Sequence, residues 1–482
     1  MSLSASLAAA VSGLTASARG AETVSSNISS AQAPGYATRT LALTTRAVGP
    51  GVLVAGTLRD VDAILTGDRR RAEAGEGAAA VRAAAWQRID AALGTPGEPD
   101  SLAGRASALE TALIAATANP ESMPTLDRVR TAAGTLASGL RSASEAVQAT
   151  RAAADAAIAR DVAQLNRTLA SVATLNTRIT RGIATGRDVS GLMDQRQALV
   201  DGIAAIVPIR ESPRAGGQIA LHAESGLALL GGRAVTLGFA PASTMSATMT
   251  RENGALAALT IDGAPVTAAA GGPLGGGRLG ANLAIRDDDG PAAQAALDTL
   301  ARDLIARFAG PAADPTLPAG SDGLFTDSLA PPPAPPVAGT AARIDLAATL
   351  RGADTDALWP LRDGLGAAAP GPAGSAAQLL RLIDALAAPR AVTLPGLGVA
   401  SRDAVALAGE VAAILSAQRL EAEDRAAFAG SLAEGLRAGA AAGGVDTDRE
   451  LQALMRIERA YAANALVIQT VDRMLGTLLE IG

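Results

Sequence analysis

The sequence predicts a mainly α-helical, multi-domain chain of α+β type, with one inserted β domain and with its two ends paired in a coiled coil. Three observations lead there. A chain of 482 residues exceeds a single domain of roughly 150 residues about threefold. Its hydrophobic fraction is 49% but its aromatic fraction only 2%, and the rest is carried mainly by Ala, with Leu and Val. Alanine buries little area and has the best helix propensity, so this composition favours closely packed helices over a large aromatic-lined pocket. Finally, both ends carry the same helical stripe.

At the start, Leu3, Leu7, Ala10, Leu14, Ser17, Ala21, Val24 and Ile28 recur in alternating steps of four and three. At the end, Leu454, Ile457, Tyr461, Asn464, Ile468, Val471, Leu475 and Leu478 repeat that spacing. Each is a heptad stripe with one polar interruption, and at ~1.5 Å per residue each is roughly 36 Å long. A single stripe reads as a surface helix on a globular body. Two of equal length at opposite termini read as partners, with small residues on the first admitting bulkier side chains of the second. Such a pair buries little area alone, so the remaining apolar surface calls for other copies or neighbouring proteins. Thr447 to Glu450 fits a T-x-x-E capping box before the second stripe. Pro34-Gly35 suits a type II turn after the first, so that helix should stop before Pro34.

Between them the pattern is helical through Val81, Trp86, Ile89 and Leu93, then Leu102 to Ala118, then Leu126 to Leu175. From Val207 to about Leu274 it changes to short runs such as Gln218 to Leu221, Leu227 to Leu230 and Leu256 to Ile261, parted by Gly, Pro and Asn; this is the β insertion. Helix resumes near Gly276 and continues through Leu297, Leu300, Leu304 and Phe308. Beyond Gly310, the Pro331 to Pro336 cluster suits an extended linker. Short helices follow around 376–386, 404–415 and 420–438.

Several chemistries are disfavoured. There is no cysteine, which removes disulfides, thiolate metal sites and cysteine nucleophiles. His222 is the only histidine, with no second imidazole and no obvious acid pair beside it, so a structural or surface role is expected. The 41 basic side chains, all Arg, are scattered among 47 acidic ones for a net charge of −6, unlike the concentrated basic face of a nucleic-acid binder. No apolar run is long enough to span a membrane. Met1 to Arg19 lacks a basic n-region, which argues against a cleaved signal peptide. Gly275, Gly277 and Gly280 satisfy G-x-G-x-x-G without a preceding buried strand or βαβ unit. Asp287-Asp288-Asp289-Gly290 lacks EF-hand spacing and reads as a loop or helix-start acid cluster. Asp194 and Arg196 read as a solvated or inter-helix ion pair. No cofactor, metal or catalytic residue is expected.

The run Ser26-Asn27-Ile28-Ser29-Ser30-Ala31-Gln32-Ala33-Pro34-Gly35-Tyr36 resembles the N-terminal signature of bacterial flagellar rod, hook and hook-associated axial proteins. The final run from Glu450 to Leu479, with Ala460-Tyr461-Ala462-Ala463-Asn464 and Thr470-Val471-Asp472-Arg473-Met474-Leu475, resembles their C-terminal helix. Leu175-Asn176-Thr177-Arg178-Ile179 with Leu192-Met193-Asp194-Gln195-Arg196 resembles a helix pair of the hook-associated protein 1 family, the FlgK type. Gly276-Gly277-Arg278-Leu279-Gly280-Ala281 is similar to that family's return into a long helix, and Ser321-Asp322-Gly323-Leu324-Phe325 to one of its loops. The long helical stretch fits this family better than hook or rod proteins.

The resemblance implies a folded-back axial protein. Its expected parts are a terminal coiled-coil polymerisation domain (1–35 with 444–482), a discontinuous helical body (36–206 with 276–310 and 401–443), an inserted β domain (207–275), and a Pro-rich linker with a looser second insertion (311–400). It implies no enzyme activity and a structural role at the hook–filament junction, outside the cell, after type III export without a cleaved signal. The implied partners are further copies in a ring, hook protein, hook-associated protein 3 and an export chaperone. A hook or distal rod protein is the nearer alternative, and a secreted enzyme carried on axial ends the more distant one. The expected interface residues are Leu3, Leu7, Leu14, Val24, Ile28, Leu454, Ile457, Tyr461, Ile468, Val471, Leu475 and Leu478. The motif residues are Asn27, Pro34, Gly35, Tyr36, Asp194, Gln195 and Arg196.

Overall fold

The computed structural model describes residues 3–33, 36–47, 49–95, 97–266, 272–328, 337–394 and 398–481. Pro34, Gly35 and the Pro331 to Pro336 cluster lie outside them. Helix α1 (Leu3–Ser29) leads to a hairpin of β1 (Arg39–Thr45) and β2 (Val52–Arg59), then to α2 (Ala63–Ala91), α3 (Leu102–Ala118), the 62-residue α4 (Met123–Ala184) and α5 (Ser190–Ala204). Six short strands follow: β3 (Ile209–Pro213), β4 (Ile219–Ala223), β5 (Ala228–Leu230), β6 (Leu237–Gly238), β7 (Thr260–Ile261) and β8 (Ala264–Pro265). Helix resumes at α6 (Arg278–Ala284), passes a π-helical turn at Ile285–Asp289 and continues as α7 (Gly290–Phe308) and the one-turn α8 (Gly310–Ala313). Then come β9 (Phe325–Asp327), α9 (Thr340–Arg343), β10 (Ile344–Leu346), α10 (Pro360–Asp363), α11 (Ala377–Ala387), β11 (Arg390–Leu394), β12 (Gly398–Arg402), α12 (Ala404–Ala442) and α13 (Thr447–Ile481). The fold is mainly helical with small antiparallel sheets.

The chain divides into two units. One comprises residues 1–76, 164–236 and 429–482, the other 77–163 and 237–428. The strands read from the sequence as one insertion form two three-stranded antiparallel sheets, β3-β4-β5 and β6-β7-β8.

The second unit is held by a continuous core. Trp86, Ile89 and Leu93 of α2, Leu109 and Leu113 of α3, Leu136 and Leu140 of α4, and Leu297, Leu300, Leu304 and Phe308 of α7 are all buried in it. Phe308 packs edge-on against Phe325 at 5.6 Å between ring centroids. The stretch from 311 to 400 puts Leu324, Ile344, Leu350, Leu361, Leu379 and Leu382 into this same core.

The acid run Asp287 to Asp289 lies in the π turn, inside near-continuous helix, rather than in a loop or at a helix start. The cause is Gly290-Pro291. The Gly290 N–H reaches back to the Ile285 carbonyl, and Pro291 has no N–H to offer, so the Arg286 carbonyl has no helical donor. Arg151, fully buried on α4, supplies one: its Nε donates to Arg286 O at 2.9 Å, and its Nη1 and Nη2 donate to Ser246 O and Met249 O at 3.0 and 2.7 Å. Gly290 leaves the room, since a Cβ there would stand 2.5 Å from Arg151 Cγ. Burial pushes the Arg151 guanidinium below its ordinary pKa. For neighbouring Arg286 burial acts in the same direction, but hydrogen bonds and charge from Asp287 and Asp155 outweigh it and hold the pKa above the ordinary value.

Candidate functional site: the terminal helix pair and its hairpin

Helices α1 and α13 pack along each other in the first unit. A Cβ on Gly13 would meet the Asn464 carboxamide at 2.7 Å, and one on Gly20 would meet Ile457 Cδ1 at 3.1 Å. Seven residues forward in α1 are seven backward in α13, so the pair is antiparallel. The polar interruption at Asn464 is accommodated because its counterpart is a glycine, and a larger residue at 13 or 20 would push the helices apart.

The seam differs in detail from the predicted stripe. On α1 the buried residues are Ala10, Ser12, Ala16, Gly20, Val24 and Asn27, whereas Leu3, Leu7, Leu14 and Ile28 are half-buried. Close approach along the Ala/Gly side turns the helix away from its leucines. On α13 Val471 is buried; Leu454, Ile457 and Ile468 are half-buried; Tyr461, Leu475 and Leu478 are exposed, as are Leu466 and Leu479. The expected Thr447 to Glu450 capping box is replaced by Asp446, whose Oδ1 accepts the N–H groups of Asp448 and Arg449 at 3.1 Å each. Both Asp446 and Thr447 have capping chemistry, and the acid one residue earlier takes the role.

The motif residues join this pair to the hairpin. Asn27 is fully buried and fully used. Its Oδ1 accepts the Arg39 N–H at 3.0 Å and the Tyr36 hydroxyl at 2.7 Å, and its Nδ2 donates to the Arg39 carbonyl at 2.9 Å. One carboxamide thus supplies what a strand partner would give Arg39, and so starts β1. The Arg39 guanidinium lies 4.8 Å from the centre of the Tyr36 ring. Ser12 Oγ accepts the Val52 N–H at 3.1 Å; the close approach of Gly51, at φ +113°, leaves no room for a Cβ beside that hydroxyl. Leu43, Leu53 and Leu58 of the hairpin are exposed, as are Val61 and Ile64 after it.

Asp194 and Arg196 do not form the expected pair with each other. Arg39 and Arg59 are cross-strand neighbours in the hairpin, and Asp194 of α5 receives both, with Arg59 Nε at 3.0 Å and Arg39 Nη2 on the other carboxylate oxygen. Arg196 is buried two residues on, donating to Asn176 Oδ1 at 2.8 Å and Gly217 O at 2.7 Å. Asn176 in turn donates to the Ile219 carbonyl at 2.8 Å. Burial pushes the Arg196 pKa below its ordinary value, although Glu211 pulls the other way. One turn of α5 therefore anchors the hairpin on one side and β4 on the other. Gln195 between them is exposed. His222, on β4, lies opposite Arg210 of β3. Among the described residues no group of three or more acidic, histidine or cysteine side chains is placed to hold a metal ion, and no helix is long and apolar enough to cross a membrane.

Residues 86–310 match the helical domain of flagellar hook-associated protein FlgK, and residues 442–481 match the C-terminal domain of the flagellar basal body rod FlgEFG proteins. Over the first of these segments the chain is similar to the FlgK family of flagellar axial proteins. It is 28% identical over 233 residues to flagellar hook-associated protein 1 of Salmonella typhimurium and 29% identical over 234 residues to that of Escherichia coli. Each match covers 46% of this chain and 42% of the relative, so the similarity spans less than half of those proteins' length. The solved hook junction protein FlgK from Burkholderia pseudomallei aligns with a TM-score of 0.44 at 20% identity over 54% of this chain and 47% of its own, a likeness too low to show a shared fold. The residues of the helix pair that the sequence stripe missed are Ser12, Gly13 and Gly20. A stripe drawn from large apolar positions passes over them.

Proposed function

We propose that this chain is a structural subunit of the bacterial flagellum that polymerises at the distal end of the hook and forms the junction on which the filament assembles. The observation that carries the reading is the terminal pair: α13 leaves Tyr461, Leu466, Leu475, Leu478 and Leu479 exposed along one helix, in a chain that bears the FlgK helical domain. Apolar surface of this extent is covered by association. The face is completed by neighbouring copies, hook protein and hook-associated protein 3, and by an export chaperone before passage through the type III apparatus without a cleaved signal. Its place is then outside the cell. The mechanism is ordering on assembly: segments with small side chains and modest buried area gain their stability where neighbouring subunits cover them. No reaction is assigned.

The similarity of residues 442–481 to rod proteins favours one second reading, a hook or distal rod subunit. Electron microscopy of a deletion strain, with an assay of flagellin in its medium, separates the two. Completed bare hooks with flagellin leaking into the medium are expected. Rods without hooks would move the chain to the hook or rod, and normal filaments would overturn the structural role altogether.

A further inference from the structure

The register of the helix pair leaves part of its own seam open. With Gly13 against Asn464 and Gly20 against Ile457, Leu3 at the start of α1 lies level with Met474, while α13 runs on to Ile481. Leu475 and Leu478 continue the seam from the buried Val471 in steps of four and three, yet both are exposed, and Leu479 beside them is 83% exposed. These leucines form a ridge of seam chemistry that has no partner helix among the described residues. On α1 the reverse is found, a hollow that nothing fills. At 3.6 residues per turn, Ala8, Val11 and Thr15 lie on the face of α1 turned away from Gly13 and Gly20. That face and the start of β2, at Val52 and Leu53, line a cavity of about 590 Å³. Val11 and Leu53 are half exposed, so the apolar wall is open to solvent. Arg19 and Arg46 stand at this hollow; both are exposed, and among the described residues no acid pairs with either. At the ridge, the exposed Asp472 lies one turn before Leu475 and borders the leucines, whereas Arg473 falls on the opposite side of the helix.

We propose that the leucine ridge of α13 in one copy of the chain seats in the hollow between α1 and β2 of a second copy. Helix α1 is then held between two α13 helices, its own on the Gly13 face and a neighbour's on the Val11 face. A helix made largely of Ala, Ser and Gly admits this because both partners can approach it closely. Ridge and hollow match in chemistry: aliphatic side chains enter an aliphatic wall, and the acid at the ridge complements the two arginines at the hollow. Burial of the leucines drives the contact, and the charges fix its register. Because ridge and hollow are different surfaces of one chain, the contact is heterologous. Every copy offers both at once, and a succession of such contacts closes into a ring or winds into a helix. The inference rests on the reading of the chain as an assembling subunit and names the surfaces by which its copies meet.

The chain has no cysteine, so an engineered pair reports on this contact alone. The full-length double variant Val11→Cys with Leu478→Cys is expressed in a strain lacking the native chain, and isolated hooks and filaments are oxidised and run without reductant. A disulfide closes only where two Cα atoms come within about 7 Å. A ladder of multiples of the chain that collapses on reduction is expected. The pair Val11→Cys with Leu466→Cys is the control, since Leu466 is exposed but lies on the other side of α13 from Leu475; it should give no ladder. Equal ladders from both pairs would mean crowding and would overturn the contact. Normal filaments with no ladder would overturn it too while leaving the junction reading standing; that reading fails on a different result, normal filaments in the strain that lacks the chain. If the cysteine pair itself stops filament growth, a charge exchange decides. Asp472→Arg should lower the number of filamented cells about tenfold or more, and adding Arg19→Asp and Arg46→Asp should restore it. Continued loss in the triple variant would overturn the contact.

Discussion

The core of the second unit and the terminal helix pair of the first are built from the same alphabet of Ala and Leu, yet they solve burial in opposite ways. In the core, Leu109, Leu113, Leu136, Leu140, Leu300 and Leu304 have no exposed surface at all. Along α13, 35 residues long, Val471 is the one buried side chain among those described. The core is finished within one chain, whereas the pair has a single closed seam and an open outer face. Local stability and function are thereby separated. What stabilises the second unit is finished inside it, whereas the surface that the proposed assembly would use lies in residues the monomer leaves exposed.

The largest effect should come from charging the open face. Leu466, Leu475 and Leu478 changed to Asp or Lys should abolish junction assembly, giving bare hooks and leaked flagellin, while the purified chain keeps its helical circular dichroism. Normal junctions from these variants would break the comparison. A matched pair of truncations sharpens it. Leu300→Ala removes a fully buried side chain and should cost about 2–5 kcal/mol in urea unfolding; Leu478→Ala, 58% exposed, should change monomer stability by less than about 0.5 kcal/mol and yet impair assembly. Comparable losses of stability would mean that the pair is as self-sufficient as the core.

Next in size is Arg151→Met. It leaves the carbonyls of Arg286, Ser246 and Met249 without the donor that serves them, and should cost about 2–4 kcal/mol. Pro291→Ala is the diagnostic partner. An alanine N–H can satisfy a carbonyl of the π turn, so Arg151→Met should cost less in the Pro291→Ala background, read as a double-mutant cycle. Strict additivity would remove Pro291 from the account.

How much of this was legible varied with the range of the interaction. The two terminal helices could be read because heptad spacing is local. The seam could not, because glycine counts for nothing in an apolar stripe, and its value at 13 and 20 appears only against Asn464 and Ile457. The roles of Asp194 and Arg196 were hidden for another reason. Asp194 finds its arginines 135 and 155 residues away, and adjacent opposite charges suggest a pair that the α5 geometry does not make. The π turn was masked by Gly290-Pro291, which reads equally well as the start of a helix.

Asp194→Asn tests the hairpin side of the comparison. The mutant amide cannot balance the guanidiniums of Arg39 and Arg59, which face each other across the strands, so the hairpin should open locally at a cost of about 1–3 kcal/mol. Faster amide hydrogen exchange in β1 and β2, with the second unit unchanged, is the expected result. Exchange rising equally in both units would mean that Asp194 supports the whole chain.

The smallest effect has the opposite sign. Desolvation by the surrounding atoms, together with the charges of Asp287 and Asp289 beside it, raises the pKa of the exposed Asp288 above the ordinary carboxylate value, although Arg251 and Arg82 oppose the shift. A carboxyl group whose pKa is raised on folding holds its proton more tightly in the folded state, so its contribution is favourable at low pH and is lost as pH rises through the raised value. At neutral pH the ionised Asp288 is therefore a small liability that the second unit carries without need. Asp288→Asn should raise the urea midpoint slightly at pH 7, and the gain should fade as the pH drops to about 4 and the wild-type carboxyl becomes neutral too. A variant less stable than wild type at pH 7 would show that the charge is used by a partner, and would put a functional residue inside the unit that otherwise only holds the fold.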